Sequence, residues 1–333
     1  MYKVKVMKST SQNVCLSMAA AVVAIILIIV VFESIENIRY ARWRASYDNG
    51  GWLGRVTVPS DNPVLMWEYR PYGEFEQYKM NRYGFRDFDY SSMNKPDNTL
   101  RIAFAGDSIT LGYKVNADET LERQFEIEAN NIHSQQMINA LNFGVDAYGT
   151  PQVYEMIRTK VLNFSPDEVV YVMCFNDFDF TEHSTKMRYF KKPKSFLLRR
   201  IEHFYMKARK IDYHLYYFQK NKDIVFQSLI NMRDILKLKA VNFMVVIVPP
   251  FYKTSLNNYP LLQMHEDIRG FLEKNKIKYF DLLETFYGNG ESPVRYAFDV
   301  WHPNADGCKK IAKQILLPVL SNAVVTLQGK NNL

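Results

Sequence analysis

The feature that most constrains the fold is an alternation of short apolar segments with helix-prone segments from residue 100 onward. Short, continuously apolar segments are typical of strands buried on both faces of a parallel sheet, and a helix between two strands supplies the crossover. The predicted strands are Leu100–Ala105, Met137–Phe143, Glu168–Phe175, Asn242–Val248 and Lys278–Leu283. The predicted helices lie near Glu119–Asn130, Gln152–Leu162, Asp223–Leu238, Leu261–Lys274 and Asp306–Leu320.

Five such strand-then-helix units predict an α/β protein, a three-layer α/β/α sandwich around a five-stranded parallel, flavodoxin-like sheet. In this architecture ligands bind outside the carboxyl ends of the strands. A motif is therefore a stronger functional candidate when it directly follows a predicted strand.

A second constraint lies near the N-terminus, where residues 14–32 form a run of 19 residues without a charge. As a helix this run is roughly 28 Å long, close to the thickness of a bilayer's hydrocarbon core. The alternatives are a cleaved signal peptide and a buried core helix, but the run exceeds a signal-peptide core and no small-residue cleavage site follows it. We predict a basic tail at 1–13 and a transmembrane helix at 14–32, added to the α/β body.

The orientation of this single-pass helix rests on the basic residues around it. Lys3, Lys5 and Lys8 precede the span and three arginines follow it, so the positive-inside count is balanced. A short basic tail before a first span favours a cytoplasmic N-terminus. The body of the chain is then predicted to be extracytoplasmic.

The remaining chain divides into a stalk or linker at 33–60, one domain at 61–325 and a tail at 326–333. Within the domain, 181–222 is a basic, aromatic insertion with twelve Lys or Arg against three acids. We favour a solvated helical cap, and the alternative is a surface for anionic lipid headgroups or an acidic glycan. No nucleic-acid recognition motif is present. Three scattered cysteines predict neither a disulfide framework nor a metal site.

The first chemical motif is Gly106-Asp107-Ser108-Ile109-Thr110, which directly follows the first predicted strand. A strand-to-helix turn exposes a serine hydroxyl at the sheet edge, next to the backbone N–H groups that begin the helix. This arrangement suits a nucleophile whose transition state develops an oxyanion. The alternative is an ordinary helix N-cap.

A general base for that serine is offered by Asp299-Val300-Trp301-His302, just before the last predicted helix. An aspartate three residues before a histidine can hold the imidazole Nδ1 and orient it toward the serine. The alternative is a capping loop with an incidental histidine. Surface or structural roles are predicted for the other histidines, which are His133, His183, His203, His214 and His265.

Two further motifs follow strands and offer oxyanion donors. Asn176, after the third strand, carries a side-chain amide, and the turn 142–150, after the second strand, offers backbone N–H groups. All four motifs thus fall at the carboxyl ends of predicted strands, in the order Ser, backbone turn, Asn, Asp-x-x-His.

This ordered set resembles the SGNH hydrolase superfamily, which includes GDSL-type esterases and lipases, over about residues 60 to 320. The resemblance implies Ser108 as nucleophile, Asp299 and His302 as its partners, and an oxyanion hole formed by Ser108, Ala147 and Asn176. It implies ester chemistry without a cofactor or metal ion. Two positions depart from the family pattern, since Ala147 and Cys174 stand where glycines are usual. We expect Ala147 to keep its N–H in the site and Cys174 to change only the pocket shape.

The predicted function is hydrolysis of a carboxylic ester, an acyl or acetyl ester of a lipid or glycan, through an acyl-serine intermediate. One alternative is an O-acyltransferase or O-acetyltransferase that acts on a cell-surface polysaccharide. The other is an inactive module that binds glycan or lipid. The predicted partners are the ester substrate and the membrane that holds the N-terminal helix.

Overall fold

The computed structural model describes residues 2–48, 55–90, 92–132, 136–179, 189–288 and 290–330. The chain forms two compact units, one made of Met1–Asn49 with Lys191–Ile211 and the other of Gly50–Phe190 with Asp212–Leu333. His133, His183 and the first eight residues of the basic insertion, 181–188, lie outside the described residues.

The larger unit is built on a five-stranded parallel sheet in the order β6-β5-β7-β8-β9 within the described residues. This is the flavodoxin-like order that the sequence predicts, and the fold class is confirmed. Two small antiparallel ribbons, β1–β2 and β3–β4, precede the sheet and were not predicted. The strands are β1 (Val56–Pro59), β2 (Trp67–Tyr69), β3 (Glu74–Phe75), β4 (Tyr78–Lys79), β5 (Thr99–Gly106), β6 (Met137–Gly144), β7 (Glu168–Met173), β8 (Asn242–Ile247) and β9 (Lys278–Asp281).

Helices cover both faces of this sheet, because right-handed crossovers send successive helices to one face or the other. Helix α3 packs against α9, and α4 packs against α6. The helices are α1 (Tyr2–Asp48), α2 (Ser108–Leu111), α3 (Leu121–Ile132), α4 (Thr150–Thr159), α5 (Phe196–Ala208), α6 (Tyr213–Leu238), α7 (Leu262–Lys274), α8 (Leu283–Tyr287) and α9 (Ala305–Lys330). Short 3-10 turns lie at Ala117–Glu119, Val161–Phe164, Phe175–Phe178, Leu256–Asn258 and Pro293–Tyr296.

The core lies along the central strands of the sheet. Every residue of β5 and β7 is buried, as expected for strands that have helices on both faces. The edge strand β9 is only partly buried. The continuous apolar runs that predicted these strands therefore reflect burial on two faces.

Helix α6 begins at Tyr213, earlier than the predicted start near Asp223, so the basic insertion runs into this helix. Asp212 caps it, since its carboxylate accepts hydrogen bonds from the backbone N–H groups of His214 and Leu215 at 2.9 and 3.0 Å. The N-cap signal is present in the sequence, but the dense basic and aromatic pattern around it obscured the start. Helix α9 also continues beyond its predicted end near Leu320, to Lys330.

The smaller unit contains the long helix α1, which includes the apolar run 14–32. Its segment Asn13–Ser46 is long and apolar enough to cross a membrane, with a mean hydropathy of 3.2 in its most apolar window. That window has none of its residues buried inside the protein, which distinguishes it from a core helix. The second element of this unit is helix α5, which packs against α1.

One buried carboxyl group makes the stability of the larger unit depend on pH. Glu168 is the first residue of β7, and its Oε1 accepts a hydrogen bond from Asn322 Nδ2 at 2.8 Å. Burial raises the pKa of Glu168 to about 8, against lowering contributions from Asn322 and Lys278. The folded protein thus keeps a proton on Glu168 in a pH range where the unfolded chain, with an ordinary pKa of 4.5, has lost it.

We expect the free energy of unfolding to fall as the pH rises from about 5 to about 8, because the folded state binds the extra proton there. Glu168→Gln keeps the acceptor for Asn322 and removes the titration. The difference between the variant and the wild type should change with a slope of up to about 1.4 kcal/mol per pH unit. Denaturant unfolding of the full chain, followed by circular dichroism at several pH values, measures it. Parallel curves for the wild type and Glu168→Gln would contradict the prediction, and the exposed Glu284→Gln serves as the control.

Candidate active site

The candidate site lies where β5 ends, between its neighbours β6 and β7, at the point where the strand order reverses. Helix α2 follows β5 closely, and two glycines permit the approach. A Cβ on Gly144, at the end of β6, would lie 2.0 Å from the backbone nitrogen of Leu111. A Cβ on Gly106 would overlap the Thr110 side chain of α2 and lie 2.8 Å from the backbone oxygen of Val172 on β7. Neither position accommodates a larger residue without displacing the backbone beside Ser108.

The residue that caps α2 is Asp107, whose Oδ1 accepts a hydrogen bond from the backbone N–H of Ile109 at 2.9 Å. Ser108 is the first helical residue and does not serve as the N-cap. The hydroxyl of Ser108 lies 3.2 Å from Oδ2 of the cap residue Asp107 and also reaches an imidazole from the other side of the site.

Ser108, His302 and Asp299 form a continuous chain of hydrogen bonds. Ser108 Oγ lies 3.0 Å from His302 Nε2, and His302 Nδ1 lies 2.9 Å from both carboxylate oxygens of Asp299. A carboxylate can only accept a hydrogen bond from the Nδ1–H, and this tautomer leaves Nε2 without a proton as the acceptor for the serine hydroxyl. The structure thus brings together residues that are far apart in the sequence, since Ser108 and His302 are separated by 194 positions.

The loop that carries His302 is itself held by hydrogen bonds. Asp299 Oδ1 also accepts from the backbone N–H groups of Trp301 and His302, each at 2.9 Å. Partial burial acts to raise the pKa of Asp299, but the hydrogen bonds from His302 and from these two N–H groups outweigh it and lower the pKa. Asp299 therefore stays ionised beside the imidazole. The His302 ring also lies 4.2 Å, centre to centre, from the ring of Tyr113.

Behind Ser108 lies a buried polar cluster that joins Asp107 to the turn after β7. Asn176 Nδ2 donates to Asp107 Oδ2 at 3.2 Å, and the Cys174 thiol donates to the same oxygen at 3.4 Å. The thiol also contacts the amide oxygen of Asn176. Cys174 therefore orients the Asn176 amide, a polar role beyond the expected change of pocket shape.

Asp177 completes this cluster through hydrogen bonds to its carboxylate. Its Oδ2 accepts from the hydroxyl of Tyr171 at 2.6 Å and from the backbone N–H of Cys174 at 3.0 Å. Burial and the negative charge of Asp107 raise the pKa of Asp177 well above its ordinary value. The protonated form of Asp177 is therefore favoured.

Asp107, Cys174 and Asp177 also have the donor types and spacing of a metal site, since their ligand atoms lie within 4.8 Å of one another. A metal would require Cys174 as the thiolate. Burial, followed by the charges of the two aspartates, raises the pKa of the Cys174 thiol well above its ordinary value. In this structure the three residues form a hydrogen-bond network around Asn176.

Ala147 lies in the turn after β6 and has a φ of 63°, in the left-handed region that favours glycine. The segment before the sheet holds this turn, because Tyr69 hydrogen-bonds with Asp146 and the Tyr148 hydroxyl donates to the backbone oxygen of Trp67. The rings of Trp67 and Tyr148 are 5.3 Å apart. Ala147 is therefore held in a costly conformation by its neighbours.

Arg86 is a structural residue of the site that the sequence argument missed. Its buried guanidinium donates to the backbone oxygens of Leu111, Gly112 and Val115, with distances of 3.0 Å to Leu111 and 2.7 Å to Val115. It thereby fixes the carboxyl end of the short helix that carries Ser108. Nothing in the sequence around Arg86 indicates which carbonyl groups its guanidinium would meet.

A second histidine–aspartate pair lies elsewhere in the larger unit. His265 is fully buried, with Nδ1 2.8 Å from Asp281 Oδ2 and Nε2 3.1 Å from the hydroxyl of Tyr259. These contacts use both ring nitrogens, which agrees with the structural role predicted for His265. Among the other described histidines, His214 packs against Trp301 with ring centres 4.8 Å apart, and His203 lies on helix α5.

A family model for GDSL-like lipases and acylhydrolases matches residues 104–310, which is more than half of the chain. The chain belongs to the GDSL-like lipase/acylhydrolase family, and it is an esterase of the SGNH type. No curated protein matches the sequence significantly.

Several solved structures are similar to this chain at low sequence identity. An acetylxylan esterase from Geobacillus stearothermophilus is 16% identical, with a TM-score of 0.46, over 65% of this chain and 92% of that chain. A lipase/acylhydrolase from Enterococcus faecalis is 16% identical, with a TM-score of 0.43, over 65% and 95% of the two chains. The acetyl xylan esterase AlAXEase is 14% identical, with a TM-score of 0.47, over 66% and 99%.

The left-handed conformation of Ala147 leads to a prediction for Ala147→Gly. Glycine relieves a strain of about 1 kcal/mol at this φ, although it adds entropy to the unfolded chain. If the Ala147 N–H serves an oxyanion, the relaxed turn should aim it better and raise kcat modestly. The measurements are kcat on a p-nitrophenyl ester and the free energy of unfolding. A variant that is less stable and has an unchanged kcat would contradict the prediction.

A second variant distinguishes the contribution of the Asn176 amide from that of the Ala147 turn. Asn176→Ala removes an amide that should contribute roughly 3 kcal/mol to stabilisation of the transition state, so kcat should fall by a factor on the order of 100. An unchanged kcat for Asn176→Ala would mean that the oxyanion binds elsewhere.

Proposed function

We propose that this esterase cleaves a carboxylic ester through an acyl-serine intermediate, with Ser108, His302 and Asp299 as its catalytic triad. The single observation that carries the proposal is the hydrogen-bond chain from Ser108 Oγ through His302 to Asp299, at 3.0 and 2.9 Å. A binding module would gain nothing from a serine whose hydroxyl is aligned with a histidine that a carboxylate orients.

In the proposed reaction His302 Nε2 removes the proton from Ser108 Oγ as the oxygen attacks the ester carbonyl carbon. The tetrahedral intermediate collapses when His302 returns that proton to the leaving alcohol. Water then repeats the sequence on the acyl-serine and releases the acid. Asp299, whose pKa is lowered, remains negative and stabilises the imidazolium that forms in each half-reaction.

The oxyanion is proposed to bind to the backbone N–H groups of Ser108 and Ala147 and to the side-chain amide of Asn176. Ser108 begins α2, where N–H groups point away from the helix. One Nδ2 hydrogen of Asn176 is used by Asp107, and the amide has a second one to donate. The Asp107 and Cys174 contacts keep the Asn176 amide in one orientation, as preorganised stabilisation requires.

The substrate is proposed to be an acyl or acetyl ester of a lipid or glycan. Transfer of the acyl group to a sugar hydroxyl would use the same acyl-serine and differ only in the acceptor. Hydrolysis and transfer can therefore be distinguished by identifying the product that carries the acyl group. An acetylated oligosaccharide supplied with an unacetylated acceptor yields free acetate in one case and the acetylated acceptor in the other.

Ser108→Ala tests the nucleophile. We expect the variant to lose labelling by a fluorophosphonate and to lose esterase turnover by a factor on the order of 10³ or more, because the attacking oxygen is gone. Gel fluorescence and p-nitrophenyl acetate hydrolysis measure the two effects. Ser321→Ala, at an exposed serine of α9, is the matched control and should behave as the wild type. Equal labelling of Ser108→Ala and the wild type would refute the assignment.

We further propose that residues 14–32 of α1 anchor the protein in a membrane, with the catalytic unit outside the cytoplasm. The anchor is supported by the length and apolarity of the segment and by the exposure of its most apolar window. The orientation is supported by the short basic tail that precedes the span.

A reporter fused after residue 60 tests this topology. An alkaline phosphatase reporter should be active, since it folds outside the cytoplasm, and the fusion should stay in the membrane fraction after a high-salt wash. A green fluorescent protein reporter at the same position is the reciprocal control. Release by salt alone would contradict the anchor, and a cytoplasmic reporter signal would contradict the orientation.

A further inference from the structure

Helix α5 carries an apolar face that is exposed to solvent. Leu198, Ile201, Phe204 and Tyr205 are 68%, 53%, 74% and 50% exposed. At about 100° per residue they lie within roughly 120° of the helix circumference. The buried residues of this helix, Phe196 and Met206, lie on its other side. A helix that only capped a soluble domain would turn its apolar face inward.

The segment around α5 is strongly basic. Residues 191–211 contain eight Lys or Arg and one acid, Glu202. Arg200, Lys207, Arg209 and Lys210 are all exposed. A helix with one apolar face and many basic residues is typical of a helix that lies in a bilayer interface and attracts anionic headgroups.

Helix α5 is attached to α1 directly after the apolar run. Glu33, the residue next to the end of that run, accepts hydrogen bonds from Ser195 Oγ at 2.6 Å and from the backbone N–H of Leu197 at 3.0 Å. It therefore caps the N-terminus of α5. One turn further along α1, Glu36 accepts from Arg200 at 3.2 Å.

A third contact lies another turn along α1, where the rings of Tyr40 and Phe196 are 6.0 Å apart. If the apolar run fills the hydrocarbon core, Glu33 lies at its boundary, and α5 begins at the level of the headgroups. The attachment thus fixes the height of α5 in the membrane.

We infer that α5 is an interfacial helix that binds the surface of an anionic lipid bilayer beside the membrane anchor. Leu198, Ile201, Phe204 and Tyr205 enter the boundary between headgroups and acyl chains, and the lysines and arginines contact lipid phosphates. This inference rests on the proposed anchor. An acidic glycan would match the charge of the segment but would leave the apolar face uncovered.

The test uses the full chain in nanodiscs and two cysteine variants of α5. Ile201→Cys lies in the apolar face, and His203→Cys, two residues later, points roughly 160° away and is also exposed. Both are made with Cys15→Ser, since Cys15 is exposed while Cys174 and Cys308 are buried. An environment-sensitive fluorophore is attached, and its quenching by lipids with a nitroxide near the headgroup is measured. Discs contain phosphatidylcholine alone or phosphatidylcholine with phosphatidylglycerol.

We expect the label at 201 to be quenched several-fold more than the label at 203 in discs with phosphatidylglycerol. Quenching at 201 should decrease in pure phosphatidylcholine and at high salt, because the attraction to anionic lipid is screened. A triple substitution, Lys207→Gln, Arg209→Gln and Lys210→Gln, should decrease it similarly. The apolar contribution is tested by Phe204→Ser, which should weaken quenching at 201 in both lipids.

Equal quenching at 201 and 203 would overturn the interfacial orientation, and equal quenching in both lipids would overturn the anionic preference. A label at 201 that responds to a soluble acidic polysaccharide and not to lipid would assign the surface to a glycan instead. The anchor is scored separately, by retention of the protein in the discs after a salt wash. A failed anchor is therefore distinguishable from a failed surface contact.

Discussion

The close approach of α2 to the ends of β5 and β6 is the constraint on which the site depends. A Cβ on Gly144 would lie 2.0 Å from the backbone nitrogen of Leu111 in α2, and a Cβ on Gly106 would overlap the Thr110 side chain of the same helix. This approach places Ser108 at the sheet edge, and Arg86 holds the opposite end of the same short helix through three carbonyl groups. A four-residue helix has little stability of its own. Its position is therefore set by tertiary contacts at both ends.

Charge is arranged asymmetrically around Ser108. On one side Asp299 is held ionised by hydrogen bonds and faces the imidazole of His302. On the other side Asp177 is driven toward its protonated form by burial and by Asp107. The raised pKa of Asp177 disfavours a pair of buried negative charges, on Asp107 and Asp177, next to Ser108. The pKa values of Asp299 and Asp177 are thus shifted in opposite directions because the surroundings of the two acids differ.

The departures from the family pattern at Ala147 and Cys174 have different consequences. Ala147 retains the left-handed backbone for which glycine is usual, and contacts from Trp67 and Tyr69 to the adjoining residues hold the turn in place. Cys174 replaces a glycine with a side chain that contacts Asn176 and Asp107. One departure costs backbone strain, and the other adds a polar contact to the amide proposed to bind the oxyanion.

The sequence by itself determined the α/β class, the five strands and the order of the four motifs, because burial on two faces leaves continuous apolar runs that periodicity detects. The start of α6 was misplaced and the ribbons at 56–79 were missed, since short elements depend on caps and long-range pairing. The sequence selected His302 by its spacing from Asp299 before the last helix, and the tertiary structure added the distance between that imidazole and Ser108. His302 and His265 both pair with an aspartate, but only His302 lies within hydrogen-bond distance of Ser108. That distance depends on where the turn after β5 and the loop before α9 meet at the sheet edge. The local sequence around either residue does not encode it.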